Sequence, residues 1–247
     1  MNHRNMFSKQ WRFRNNIQLI GLAVIVSIGI AGYLLKSVPL LIDSGHSQYF
    51  PTLHLSVLLL GSVMVLAWQW LNAVKKEVLI YKNHFNDFIP RIPQILITVV
   101  VILMALSLGI LSYFATNLLL FALYFMCYKF IEMYGFTIMK EKLQSYQTVV
   151  ENNFSPGDGR WQYWKIIADY YFDQPHVSRS LGMILFAFIS CFIYALAGIF
   201  DNYSVKVILQ ISSYLIMTLN ILISELVLNH WQRQRDEALN EYGEYYL

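Results

Sequence analysis

Lys129, Glu132 and Glu225 are ionisable side chains set inside stretches of sequence that are otherwise apolar. A charge left alone in hydrocarbon is costly, so such residues pair, line a polar cavity, or reach water at a helix end. Lys129 and Glu132 are three positions apart, a spacing that brings two side chains onto one helix face. Together with Glu225 and the amide of Asn220 they define a candidate polar cluster between two helices, able to line a pore or pass a proton. The simpler alternative is a local Lys129–Glu132 pair, with Glu225 extending to nearby water.

The elements that must hold these residues are long apolar runs. Six are legible: 17–35, 52–73, 93–114, 117–137, 180–200 and 205–228. Each reaches the length of about 20 residues that a helix needs to cross a hydrocarbon core of about 30 Å. Hydrophobic residues are 57% and charged residues 13% of the chain, about half the usual charge of a soluble domain. The fold class implied is all-α: an integral membrane protein of six transmembrane helices in three antiparallel hairpins, with amphipathic cytoplasmic helices. The short alternating segments of a membrane β-barrel are not seen.

Orientation follows from the basic residues. Of 18 lysines and arginines, 15 fall on the side shared by the two termini, only Lys36 and Lys206 on the other, and Lys129 within a span. The positive-inside rule then places both termini in the cytoplasm of a multi-pass cell-membrane protein. Residues 1–16 read as a basic cytoplasmic tail. Residues 17–228 form the transmembrane domain, including cytoplasmic loops 74–92 and 138–179, and 229–247 a cytoplasmic C-terminal tail. The first run is too long for a signal-peptide core and lacks a small-x-small cleavage pattern after it, so it reads as an uncleaved anchor.

The loop 138–179 carries structure of its own. Span four is expected to continue as a helix to about Asn152, where Ser155-Pro156-Gly157-Asp158-Gly159 breaks it. The next segment, 160–173, puts Trp161, Trp164, Ile167, Ala168 and Tyr171 on one face and Gln162, Lys165, Asp169 and Asp173 on the other. That pattern fits an amphipathic helix at the membrane–water boundary, with Trp161, Trp164 and Tyr171 as interfacial anchors. The tail from Arg235 is expected to extend span six as a helix. Span six is the most polar of the runs (Gln210, Ser212, Ser213, Thr218, Asn220 and Ser224), so it should face protein or water rather than lipid. Ala187, Cys191 and Ala195 repeat at four-residue intervals on span five, which permits close helix packing. Cys127 and Cys191 read as small packing residues.

Catalytic patterns are not found. There is no nucleophile elbow, His-Glu-x-x-His helix, phosphate-binding Gly-x-x-x-x-Gly-Lys loop or histidine-rich metal motif. No enzyme activity, metal or cofactor is expected, and no direct nucleic-acid binding. Three functions fit. The first is a non-enzymatic subunit, a homo-oligomer or part of a membrane complex, whose cytoplasmic loops and tail bind a partner protein. The second is an oligomeric ion channel or membrane-permeabilising effector lined near Lys129, Glu132 and Glu225. The third, a small secondary transporter, lacks the Gly/Pro-broken helices that mark midplane sites.

Overall fold

A computed structural model describes residues 24–37, 55–69 and 106–242, with Gly21 and Leu103. The N-terminal tail, loop 74–92 and residues 243–247 lie outside the described residues. We label the helices α1 (Val24–Ser37), α2 (Leu55–Gln69), α3 (106–114), α4 (Leu118–Asn153), α5 (Gly159–Phe172), α6 (His176–Leu196) and α7 (Tyr203–Tyr242). The described residues contain helices, turns and bends and no strand.

Local chemistry sets the boundaries of these helices. Asn117 caps α4, its Oδ1 accepting from the Leu120 amide at 3.2 Å, and so satisfies an amide that the first turn leaves orphaned. The helix ends at Asn153; Phe154 after it is extended, and Pro156, two residues further on, lacks the N–H needed to continue the helix. Asn202 caps α7, accepting from the amides of Ser204 (3.0 Å) and Val205 (3.3 Å). Pro175 stands at the start of α6, where its missing N–H forfeits no helical hydrogen bond.

Three helical stretches are long and apolar enough to cross a membrane: Leu118–Asn153, Trp164–Leu196 and Tyr203–Leu239. The apolar parts of α1 and α2 are shorter as described, and the remaining expected spans extend beyond the described residues. Most of the outer surface of α6 is apolar, with Leu185, Phe188 and Phe192 each more than half exposed. Exposed apolar side chains gathered on one helix suit a lipid-facing surface.

Among the described residues, the buried side chains form two separate cores. The first gathers Tyr33 of α1, Leu59 of α2, Leu111 of α3, Phe121 and Phe125 of α4, Ala187 of α6, and Met217 and Ile221 of α7. Hydrogen bonds stitch it where the packing leaves polar groups inside: Tyr33 to Ser56 (2.8 Å), Ser190 Oγ to the Ser213 carbonyl (2.7 Å), and Asn220 Nδ2 to the Met183 carbonyl (2.9 Å). Ser213, Thr218 and Ser224 are buried, so span six does turn its polar side toward protein. Cys191 packs against this core, whereas Cys127 faces outward and is not a core residue.

The second core lies where α4 and α7 run on past their apolar parts. As expected, α4 is one helix of 36 residues to Asn153, and α7 is one helix of 40 residues. Between them sits α5. Leu143 and Val150, Leu239, and Trp164, Ile167, Ala168 and Tyr171 form a shared interior. Trp164 and Tyr171 are therefore packed against protein, with Trp161 beside them, instead of presenting their rings to a membrane surface. Periodicity correctly separated the two faces of α5. What it cannot reveal is whether protein or lipid covers the apolar one, because both reward the same residues.

Close helix approach depends on glycine at one crossing. A Cβ added to Gly29 of α1 would lie 2.3 Å from the carbonyl oxygen of Gly109 in α3, which is backbone and cannot swing aside. At Gly182 of α6 an added Cβ meets nothing within 4 Å. Gly29→Ala is predicted to lower the unfolding midpoint of the detergent-solubilised protein, by a penalty of order 1–3 kcal/mol for overpacking. Gly182→Ala should leave the midpoint unchanged or raise it, since alanine is the better helix former.

Candidate functional site

The polar residues singled out in α4 and α7 meet, and two further helices join them. Lys129 Nζ donates to Glu132 Oε2 at 2.8 Å and to Glu225 Oε1 at 3.1 Å. Arg179, in the first turn of α6, donates through Nη2 to Glu132 Oε1 at 3.0 Å and lies 3.5 Å from Glu225 Oε1 through Nη1. The same Nη1 donates to Ser224 Oγ (2.9 Å), and Ser180 Oγ donates to Glu132 Oε2 (3.2 Å). The Gln69 amide of α2, with its nitrogen turned inward, donates to Glu225 Oε2 at 3.3 Å and to the Glu225 carbonyl at 3.1 Å.

The geometry is a closed lattice of two cations and two carboxylates. Each carboxylate touches both cations, and each of the four carboxylate oxygens has at least one donor. The side chains are sealed from solvent: Lys129 is 0%, Glu225 3%, Arg179 6% and Glu132 8% exposed. Glu225 thus points inward and does not reach out to water. Lys129 is not confined to a local pair either, because it bridges α4 to α7. Lys129 also sits over the rings of Tyr128 (5.0 Å) and Phe125 (5.6 Å), whose faces favour a desolvated cation.

Of the sequence-marked residues, Lys129, Glu132 and Glu225 come together. Asn220 lies a little over one turn from Glu225 on α7 and bonds the backbone of α6, outside the charge lattice. Arg179, Ser180 and Gln69 were missed. Arg179 stands immediately before the apolar run of α6 and counts as a loop charge on that basis. The helix in fact begins at His176 and folds the guanidinium back among the carboxylates. Gln69 carried a usable signal, being an amide near the end of an otherwise apolar run.

One helical turn before Arg179, a second polar group is enclosed by rings. His176 is 2% exposed. It stacks on Phe136 of α4 (4.2 Å between centroids) and meets Tyr170 of α5 (4.7 Å) and Trp231 of α7 (5.4 Å) edge-on. Its Nε2 is 2.9 Å from the Tyr170 carbonyl. Because α4, α5 and α7 all contact this one side chain of α6, His176 marks the seam between the two cores.

Among the described residues, no group of three or more His, Cys, Asp or Glu is placed to hold a metal ion. Comparisons with protein-family models, curated proteins and solved structures each return no match. The function therefore has to be argued from the chemistry of the site itself. Each carboxylate oxygen of the lattice already accepts from at least one donor. What the lattice does is hold α2, α4, α6 and α7 in one register.

Removing one cation from such a site leaves a buried carboxylate uncompensated, which costs about 3–5 kcal/mol. Arg179→Met is predicted to show a loss of that size in denaturant unfolding of the protein in micelles. The contrasting variant is Arg233→Met, which breaks a pair with Glu237 at 3.0 Å whose side chains are 73% and 63% exposed. Solvent screens that pair, and no measurable change is expected.

Proposed function

We propose that the chain is a six-span membrane protein with both termini in the cytoplasm. It acts as a non-enzymatic subunit, homo-oligomeric or within a membrane complex, whose cytoplasmic helices bind a partner protein. The observation that supports this most is the second core. The basic residues put 138–179 and the end of α7 on the cytoplasmic side. There α4, α5 and α7 pack into a small folded lobe instead of lying as loose loops. A lobe continuous with two spanning helices is a rigid platform, and α4 turns Gln144, Thr148 and Glu151 outward from it.

The charge lattice weighs against the channel reading. A pore lined by Lys129, Glu132 and Glu225 requires those groups to face an open path, whereas here they face one another.

Photo-crosslinking in cells tests partner binding. With a photoreactive residue at Gln144 or Thr148, both exposed on the lobe, a discrete protein adduct of constant mass is expected. It should be lost when Leu143→Asp disrupts the second core. The same group at Leu185, exposed on α6, should give lipid adducts or a second copy of the chain. No protein adduct from either lobe position, with the protein inserted and folded, would refute partner binding through this surface. Orientation is checked separately. A fluorescent protein fused after Leu247 is expected to fluoresce and alkaline phosphatase there to be inactive; the reverse pattern would overturn the assignment.

A further inference from the structure

The seam at the start of α6 contains two buried polar atoms whose needs are complementary. His176 Nδ1 and Arg179 Nε are both enclosed and have no hydrogen-bond partner among the described residues. They stand three residues apart on the first turn of α6, so their side chains leave the helix on one face. The bond from His176 Nε2 fixes their roles. A carbonyl oxygen only accepts, so Nε2 carries the proton toward Tyr170, and Nδ1 is left as an acceptor. Arg179 Nε–H is a donor. Orphaned groups buried this deeply are destabilising, and native proteins commonly satisfy them with an internal water that has two to four polar partners.

We propose that His176 and Arg179 bind one internal water molecule, which joins the aromatic seam of the second core to the charge lattice. The water accepts from Arg179 Nε and donates to His176 Nδ1. Hydrogen bonding then runs unbroken from the Tyr170 carbonyl through the imidazole and the water to the guanidinium. From there it continues through Glu132 and Glu225 to Lys129 and Gln69. The two cores thereby share a polar connection as well as the continuous helices α4 and α7. The site does not depend on partner binding and stands whether or not the lobe docks another protein.

The test is magnetic resonance on the protein in nanodiscs with isotope-labelled histidine nitrogens. His176→Phe, which keeps a ring in the stack, identifies the His176 signals by their loss. The Nδ1 resonance is expected upfield of a free imidazole lone pair, with magnetisation transfer from a slowly exchanging water. A resonance at the free lone-pair position would overturn the site. So would an upfield resonance without transfer from water, because a protein donor would then occupy Nδ1. Arg179→Lys keeps the charge and removes Nε, and it should move the signal toward the free position. An unchanged signal in that folded variant would remove Arg179 from the site. If the variant does not fold, the wild-type spectrum decides alone.

Discussion

Two carboxylates and two cations, buried together where four helices meet, are the constraint on which the rest of this structure depends. A Lys, an Arg and two Glu residues are tolerable in an apolar bundle only as a neutral set, with each oxygen supplied with a donor. The set is assembled from different helices, with Lys129 and Glu132 from α4, Arg179 from α6, Glu225 from α7 and Gln69 from α2. None of these four helices can slide or rotate without leaving a buried charge unpaired. Apolar packing is tolerant of small shifts by comparison. Specificity of register is the best-attested use of buried polar groups in helical bundles, and the same logic applies here.

The position of the lattice matters as much as its composition. On one side lies the first core of α1–α4, α6 and α7, and on the other the second core of α4, α5 and α7. The polar layer and the His176 seam lie between them. The long helices α4 and α7 pass straight through that layer, so the spanning part and the second lobe are mechanically one piece. A lobe fixed in this way holds its exposed residues at a constant angle to the long helices that run into it.

Much of this was legible in the sequence, for physical reasons that can be named. The extension of span four to about Asn152, the break at Ser155–Gly159, the helix after it and the continuation of span six follow from periodicity and from the conformational limits of proline and glycine. The suspicion attached to Lys129, Glu132 and Glu225 follows from solvation alone. Arg179 escaped because composition cannot tell a charge at the start of a span that points to water from one that folds inward. The covering of Trp164 and Tyr171 by α4 and α7 escaped for a related reason, since an apolar helix face does not say whether lipid or protein lies against it. Gly29 and Gly109 meet only in three dimensions, and nothing in their local sequences pairs them.

The central claim is that the charges stabilise one another as a closed set rather than serving a conducted ion. A double-mutant cycle on Lys129→Met and Glu132→Gln tests it most directly, by unfolding each variant in the same micelles. Each single change leaves an unbalanced buried charge and should cost about 3–5 kcal/mol, whereas the double change removes a pair and keeps Arg179 beside Glu225. The account predicts a double variant close to the wild type in stability, far less damaged than the two single losses combined. Losses that simply add would show that Lys129 and Glu132 act independently, and would contradict it.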